Sequence, residues 1–306
     1  MAAKYVIGID LGGTNLKIAV LDFRVKIRRK LILSTRSFKK KEELIRALCL
    51  GIREIVRQSG LTKADIRAVG IGLPGPVDVE KGLVHFFPNI PGFKEVCLRG
   101  ILRKRLGLGI FLDNDANLMC LAEHRFGAAK GSRNAFCITL GTGVGGGLII
   151  NGSLYRARSF AAGEIGHLPL NENGPRCNCG GIACLEAYIG NNRIRSQAKK
   201  VFGHSITLEE LSLLAKRGNK KALRVWKVIG RHLGVALSSI VNVLSPDIIV
   251  IGGGVADAGR ALFKETRRTV AARAMPVQSR HVKISPALLG QDAGLIGAGI
   301  IAWQGN

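Results

Sequence analysis

The order strand, glycine turn, strand occurs twice in this chain, and that repeat restricts the possible folds more than any other feature. Residues 5–20 run from an apolar stretch, "YVIGI", through "DLGGT" into a second apolar stretch, "NLKIAV". Residues 135–150 do the same with "AFCIT", "LGTGVGGG" and "LII". Apolar runs bounded by glycine read as buried strands. Two such openings predict two similar α/β halves, and 306 residues suit two domains of about 150 each. The boundary is expected near residue 118, giving lobes 1–117 and 118–290. The closing segment, about 291–306, reads as a helix that packs back on the first lobe.

Between these landmarks, "VKIRRKLILSTRSF" reads as a third strand. Leu44, Leu48, Ile52, Ile55 and Val56 recur at helical spacing and stop at Gly60. "IRAVGIGLPGPVD" is a strand running into a Gly/Pro loop, and "IFLDNDANLMCLAEHRFG" is a strand that becomes a helix near Asn114. No run of about 18 apolar residues is present, so no membrane span is predicted. The start, "MAAKYVIGID", has no leader pattern, and a cytoplasmic protein is expected. The seven cysteines are an odd number, which argues against a disulfide framework. Cys49, Cys97, Cys120 and Cys137 each sit among apolar residues and read as small buried hydrophobes.

Two glycine turns, Asp10–Thr14 and Leu140–Gly147, could curl backbone N–H groups around phosphate, and a third, Gly252–Ala256, has room for a flat adenine or ribose against bare backbone. Each alone serves equally well as a structural turn. Together they favour a nucleotide held between two lobes, with Asp10 placed to hold Mg²⁺. Neither the dinucleotide-binding nor the P-loop glycine spacing is met. In "LDNDAN", Asp115 falls where a strand becomes a helix, a place from which a carboxylate can take a proton from a hydroxyl. Asn114 suits a sugar hydroxyl. The competing reading is that Asp113 or Asp115 caps the helix, and residue chemistry alone leaves the two level.

His167, Cys177, Cys179 and Cys184 have the composition of a Cys₃His tetrahedral zinc site of the structural kind. The pair is C-x-C, which does not fit C-x-x-C redox chemistry. The alternative is unconnected loop thiols. Zinc would pin the loop and set Glu164 and Glu186 beside it as a pair of sugar-binding carboxylates. His167 could then face a metal with one ring nitrogen and a sugar hydroxyl with the other.

The net charge is +25, from 46 Lys and Arg against 21 Asp and Glu, densest over residues 23–46. Nucleic acid, an anionic membrane surface and a polyanionic substrate are the partners such charge suits. The bland alternative is a solvated basic surface, favoured because the cations recur along the whole chain. No zinc-finger, RNP or basic-zipper pattern occurs.

Taken together, "DLGGT", "LPGPVD", "FPNIPGF", "DNDAN", "LGTGVGGG", "AAGEIGH", "CNCGGIACLE", "IVIGGG" and "QDAGLIGAG" resemble the ROK family of bacterial sugar kinases and sugar-responsive repressors, in order and nearly end to end. The resemblance implies an α/β, two-lobed actin-like ATPase (ribonuclease H-like) fold with a cleft between the lobes. It implies ATP with Mg²⁺ as donor, a hexose as acceptor, structural Zn²⁺, and a homodimer or homotetramer. By the same resemblance Asp115 would be the general base on the 6-hydroxyl. Asn89, Asn114, Glu164, His167 and Glu186 would hold the sugar. Asp10, Gly12, Gly13, Thr14 and Thr142 would face the phosphates and metal, and Gly253 and Gly254 the adenosine. Glucose is the first expectation; fructose, N-acetylmannosamine and N-acetylglucosamine are alternatives, as is polyphosphate as donor. A non-catalytic sugar sensor or nucleic-acid binder is the reading from another class, motivated by the basic stretch. The family's repressors carry a winged helix-turn-helix ahead of the first glycine turn, whereas nine residues precede Asp10 here, so the expectation is a kinase. Three positions depart from the family pattern. Ala157 and Phe160 stand where glycines are common, beside the sugar, and Ala183 replaces a glycine whose loss is tolerable unless its φ is positive.

Overall fold

The computed structural model describes residues 3–35, 38–87, 90 and 92–305. The candidate sugar ligand Asn89 lies outside the described residues. The chain forms two compact units. The first comprises residues 1–122, 156–162 and 291–306, the second residues 123–155 and 163–290. The division thus falls inside a helix at Ala122/Glu123, and residues 156–162 return to the first unit.

In the first unit, strands β1 (Tyr5–Leu11), β2 (Asn15–Asp22) and β3 (Ile27–Ser34) form an antiparallel meander. Parallel strands β4 (Ile66–Leu73) and β8 (Gly109–Asn114) extend it, in the order β3-β2-β1-β4-β8. The central strands are buried along nearly their whole length, as sheets covered on both faces require. Helix α1 (Lys41–Gln58) turns Leu44, Leu48, Ile52 and Ile55 into the core. The closing helix, α10 (Ala293–Gln304), is apolar on nearly every side and lies against β1 and β4. Gly70 permits this: a Cβ there would stand 1.9 Å from the carbonyl oxygen of Ala298.

A small sheet of β5 (Val77–Asp78), β6 (Leu83–Phe86) and β7 (Lys94–Val96), and helix α2 (Leu98–Leu106), complete this side. Strands this short carry too little period for sequence reading to find. Helix α3 (Asp115–Phe126) leads out of the unit.

The second unit repeats the sheet plan. Strands β9 (Ala135–Leu140), β10 (Val144–Ile150) and β11 (Ser153–Leu154) form the meander. Parallel strands β12 (Ile248–Gly252) and β13 (Lys283–Pro286) extend it, in the order β11-β10-β9-β12-β13. The core is built on the long α7 (Lys220–Leu244), whose Trp226, Leu233 and Leu237 are fully buried. Shorter helices α4 (Leu185–Ile189), α5 (Asn191–Phe202), α6 (Leu208–Lys216), α8 (Arg260–Arg273) and α9 (Pro276–His281) surround it. The two meander openings are therefore two copies of one sheet topology.

Cys49, Cys120 and Cys137 are buried, as expected. Cys97 is exposed at the start of α2, which corrects its reading as a core residue: its apolar neighbours Val96 and Leu98 point inward and leave it facing solvent. Among the described residues no helix is long and apolar enough to cross a membrane.

Candidate active site

In the first unit, β1, β4 and β8 run parallel, so their carboxyl ends share one sheet edge, where open α/β sheets bind ligands. The register pairs Asp10 with Gly72 and Gly72 with Asp113. Asp10 and Asp113 therefore stand in one row, two strand spacings or about 10 Å apart. The Asp10 carboxylate meets the Lys17 ammonium at 3.4 Å, and Lys17 also donates to the Gln291 carbonyl at 2.9 Å. Gly294, in the first turn of α10, lies directly against this carboxylate. Burial pushes Asp10 above the ordinary carboxylate range; Lys17 opposes the shift and Asp292 adds to it. The following turn is closed by the Gly12 N–H donating to the Asn15 carbonyl at 2.9 Å, and Gly13 and Thr14 are exposed.

At the end of β8 the three polar residues divide the work. Neither aspartate proposed as the cap fills that role alone. Asn114 Oδ1 accepts from the N–H groups of Ala116 at 2.9 Å and Asn117 at 3.3 Å, while its Nδ2 donates to the Gly75 carbonyl at 3.2 Å. Asp113 is buried. Its Oδ1 accepts from Asn114 N–H at 2.8 Å and Asn117 Nδ2 at 3.0 Å, and its Oδ2 from Arg156 Nε at 2.8 Å and Nη2 at 2.6 Å. Asp115 opens α3 half-buried, with Oδ1 2.8 Å from the Ala116 N–H. The Asp113–Arg156 pair was not legible in the sequence, where Arg156 stood in a loop with no marked partner. It holds residues 156–162 to the strand end that carries Asn114 and Asp115.

The three departures from glycine are backbone facts. Ala157, Phe160 and Ala183 have φ of 56°, 55° and 58°. Each sits in the left-handed region, which costs a non-glycine residue about 1–3 kcal/mol. The condition under which Ala183 would be ill-tolerated is met.

In the second unit, His167, Cys177, Cys179 and Cys184 converge, with one ligand atom from each within 4.8 Å of all the others. Cys179 and Cys184 sulfurs are 3.8 Å apart, and Cys177 Sγ is 3.9 Å from His167 Nδ1. Tetrahedral zinc bonds of about 2.0–2.3 Å imply ligand-to-ligand edges of roughly 3.5–3.8 Å, and these two separations lie near that length. Without a cation the thiols disfavour ionising together. Burial, reinforced by Cys179 and Cys177, pushes Cys184 up to about 12 and raises Cys177, while the Gly181 N–H holds Cys179 down. A bound divalent cation would invert that balance.

His167 turns Nδ1 to the thiols and Nε2 toward Glu164, 3.9 Å from Oε2. Burial pushes Glu164 above the ordinary range; His167 pulls it back and Glu186 adds to the rise. Glu186 opens the first turn of α4 two residues after Cys184 and points back at the second glycine turn. Its Oε2 accepts from the Val144 N–H at 2.8 Å, and Oε1 is 4.0 Å from Cys177 Sγ. Glu186 packs against bare Gly143: a Cβ there would stand 2.7 Å from Oε2 and displace the carboxylate. The cysteine loop and the Thr142 turn are thus joined through one carboxylate. At the third turn, Gly253 has φ of 84° and spends its bareness against Leu140, whose carbonyl oxygen a Cβ would meet at 2.2 Å. Gly254 faces open space while Gly253 does not, so the room for a flat ligand there is narrower than the triple glycine suggests.

The sequence profile described as "ROK family" matches residues 6–304. A glucokinase from Thermotoga maritima is 36% identical over 97% of this chain and 96% of its own length. A ROK family glucokinase from Streptomyces griseus, solved with glucose and AMPPNP, superposes with a TM-score of 0.86 at 31% identity, covering 98% of this chain and 99% of that one. A ROK family transcriptional regulator, homologous to the E. coli MLC protein, superposes with a TM-score of 0.91 at 25% identity, covering 99% of this chain and 78% of that one.

Proposed function

This chain belongs to the ROK family and has the actin-like ATPase fold, and on that premise we propose that it is a sugar kinase moving the terminal phosphoryl group of ATP to the 6-hydroxyl of a hexose, glucose foremost. The observation that carries the reading is the parallel register of β1, β4 and β8, which sets Asp10 and Asp115 at one sheet edge.

In this reading Asp115 takes the hydroxyl proton as the phosphoryl group leaves its donor. Asn114 keeps one amide hydrogen for a sugar hydroxyl, since Oδ1 and the other hydrogen are committed to the fold. Glu164, Glu186 and the Nε2 edge of His167 accept or donate to further hydroxyls. Asp10 holds Mg²⁺, which would neutralise charge on the phosphates, and Thr142 faces those phosphates. Gly12, Gly13 and Thr14 turn backbone and hydroxyl donors to the same groups, and Gly253 and Gly254 border the adenosine. His167, Cys177, Cys179 and Cys184 hold Zn²⁺ as a closed, structural set. Positioning and charge neutralisation supply most of the rate in such transfers.

The test is ADP release with Mg·ATP against glucose, fructose, mannose, N-acetylglucosamine and N-acetylmannosamine, for the native protein and Asp115→Asn. One sugar is expected to be clearly preferred. Asp115→Asn should bind that sugar with little change and lose at least about 10²–10⁴-fold in turnover. Near-native turnover by the variant would remove the base assignment. The regulator's similarity favours a second reading, a sensor that binds sugar without transfer. Saturable sugar binding with no ADP release from any sugar would select it.

A further inference from the structure

Glu123 is a fully buried acid to which the kinase reading gives nothing to do. It stands in the last turn of α3, and its side chain meets two stretches of backbone far apart in sequence. Oε2 accepts from the Ala128 N–H at 2.7 Å, just past the helix end, and from the Leu288 N–H at 3.2 Å. Oε1 accepts from the Leu289 N–H at 2.8 Å. Gly127 leaves room for this, since a side chain there would strike Oε2. Burying a carboxylate is costly unless hydrogen bonds compensate, and here three backbone donors do so. The Ala128 bond by itself would only close the turn after α3. The other two reach 165 and 166 positions along the chain.

Both stretches lead to residues of the candidate active site. Eight residues before Glu123, α3 opens at Asp115. Five residues after Leu289 comes Gly294, which packs against the Asp10 carboxylate. On the way, the Gln291 carbonyl accepts from Lys17, and Asp292 pairs with Lys30. The chain leaves the first unit at Ala122 and re-enters it for the last time at Gln291. Glu123 thus joins the first residue beyond the exit to the residues just before the return. Helices α3 and α10 also touch directly. Gly297 lies against the Leu118 carbonyl with no room for a Cβ, and Leu118, Ala298 and Ile301 share a small apolar cluster. Two helices that meet at one point can still rotate about it. A second tie, five residues further along α3 and about 7.5 Å down its axis, removes that freedom.

We propose that Glu123 is a positioning residue for phosphoryl transfer. By holding Leu288 and Leu289 to the end of α3, it fixes where the first turn of α10, and with it the Asp10 carboxylate, stands relative to Asp115. The proposal rests on the kinase reading, in which Asp10 holds the metal and Asp115 takes the proton. An error of about 1 Å in such an alignment costs on the order of 10²-fold in rate, even when the substituted residue touches neither substrate.

The test is steady-state ADP release with Mg·ATP and the preferred sugar, for native protein, Glu123→Gln and Glu123→Ala, with Glu265→Gln as a control. All assays run well below the lowest melting temperature of the set. Glutamine keeps the length of the side chain and one acceptor oxygen; alanine leaves three buried N–H groups without a partner. Glu265 is another buried acid, paired with Arg268 on α8, and has no part in the proposed site. We expect kcat to fall about 10-fold in Glu123→Gln and about 100-fold in Glu123→Ala, with KM for sugar and ATP within about threefold of native. Glu265→Gln should lower the melting temperature, as the Glu123 variants do, and leave kcat near native. That contrast separates misalignment from lost stability. A native kcat in Glu123→Gln, an equal loss in Glu265→Gln, or a change confined to KM overturns the proposal. Native protein alone tests the kinase reading. No ADP release from it with any sugar removes both readings, whereas an active native protein beside an unaffected Glu123→Gln removes only this one.

Discussion

At the scale of single residues, the left-handed positions separate strain from packing. Ala157 is half-buried at φ 56°, and Ala183 is fully buried at φ 58°. Glycine at either site would relieve about 1–2 kcal/mol of backbone strain and give back about 0.5–1 kcal/mol in unfolded-chain entropy. At Ala183 it also forfeits a buried methyl worth about 0.8 kcal/mol. Ala157→Gly is therefore expected to stabilise by about 0.5–1 kcal/mol, and Ala183→Gly to be near neutral, in denaturant unfolding. Equal gains at both would show that burial does not decide between them. Asp10 supplies a pH-dependent case. Its carboxyl ionises near the ordinary 3.8 in the unfolded chain and higher in the fold, so stability is lost as pH rises through that window and the cost is complete above it. Asp10→Asn, melted without Mg²⁺, should exceed the native melting temperature near neutral pH, with the difference shrinking below the ordinary aspartate pKa. A lower melting temperature at neutral pH would mean that the Lys17 contact outweighs desolvation.

At the scale of elements, the cysteine loop stands out because it has almost no apolar core. Its own buried cluster is Cys177, Cys184 and Ala187, and its backbone pairs only through the Pro169–Cys184 and Arg176–Ile182 bridges and a few turn bonds. A metal held, as proposed, by His167, Cys177, Cys179 and Cys184 would stand in for the missing core, as in small metal-dependent folds. Cys179→Ser is expected to drop zinc from about one ion per chain to a small fraction, by elemental analysis, and to weaken sugar affinity through Glu186 and His167. Native zinc content in that variant would remove Cys179 from the ligand set. The edge strand β3 shows another element-level choice. Its "IRRKLILS" alternates late and exposes Arg28, Arg29 and Lys30, and charges of this kind discourage edge-to-edge pairing.

At the scale of the whole molecule, 46 Lys and Arg face 21 Asp and Glu, an excess of 25 positive charges. Mutual repulsion of this size opposes the compact state and weakens as salt screens it. Raising ionic strength from about 0.01 to 0.15 M should therefore raise the melting temperature, as the screening length falls from about 30 to 8 Å. A melting temperature that fell with salt would show that specific ion pairs dominate instead. Much of the fold is legible in the sequence, because period and punctuation are local. Both meander openings, α1, the β8-to-α3 junction and the closing helix follow from the spacing of apolar residues and the glycines that bound them. The Cys₃His set is legible for the same reason: three of its members lie within eight residues, Cys177 to Cys184. The tertiary structure alone decided what depends on residues far apart. It ties Asp113 to Arg156 across 43 positions, returns residues 156–162 to the first unit, and brings Glu123 to the Leu288 and Leu289 amides. It also leaves Cys97 exposed beside two buried neighbours. Local spacing states which face of a strand or helix is apolar; only packing selects the partner each polar group meets, because that choice turns on burial and distance between segments the chain itself does not order.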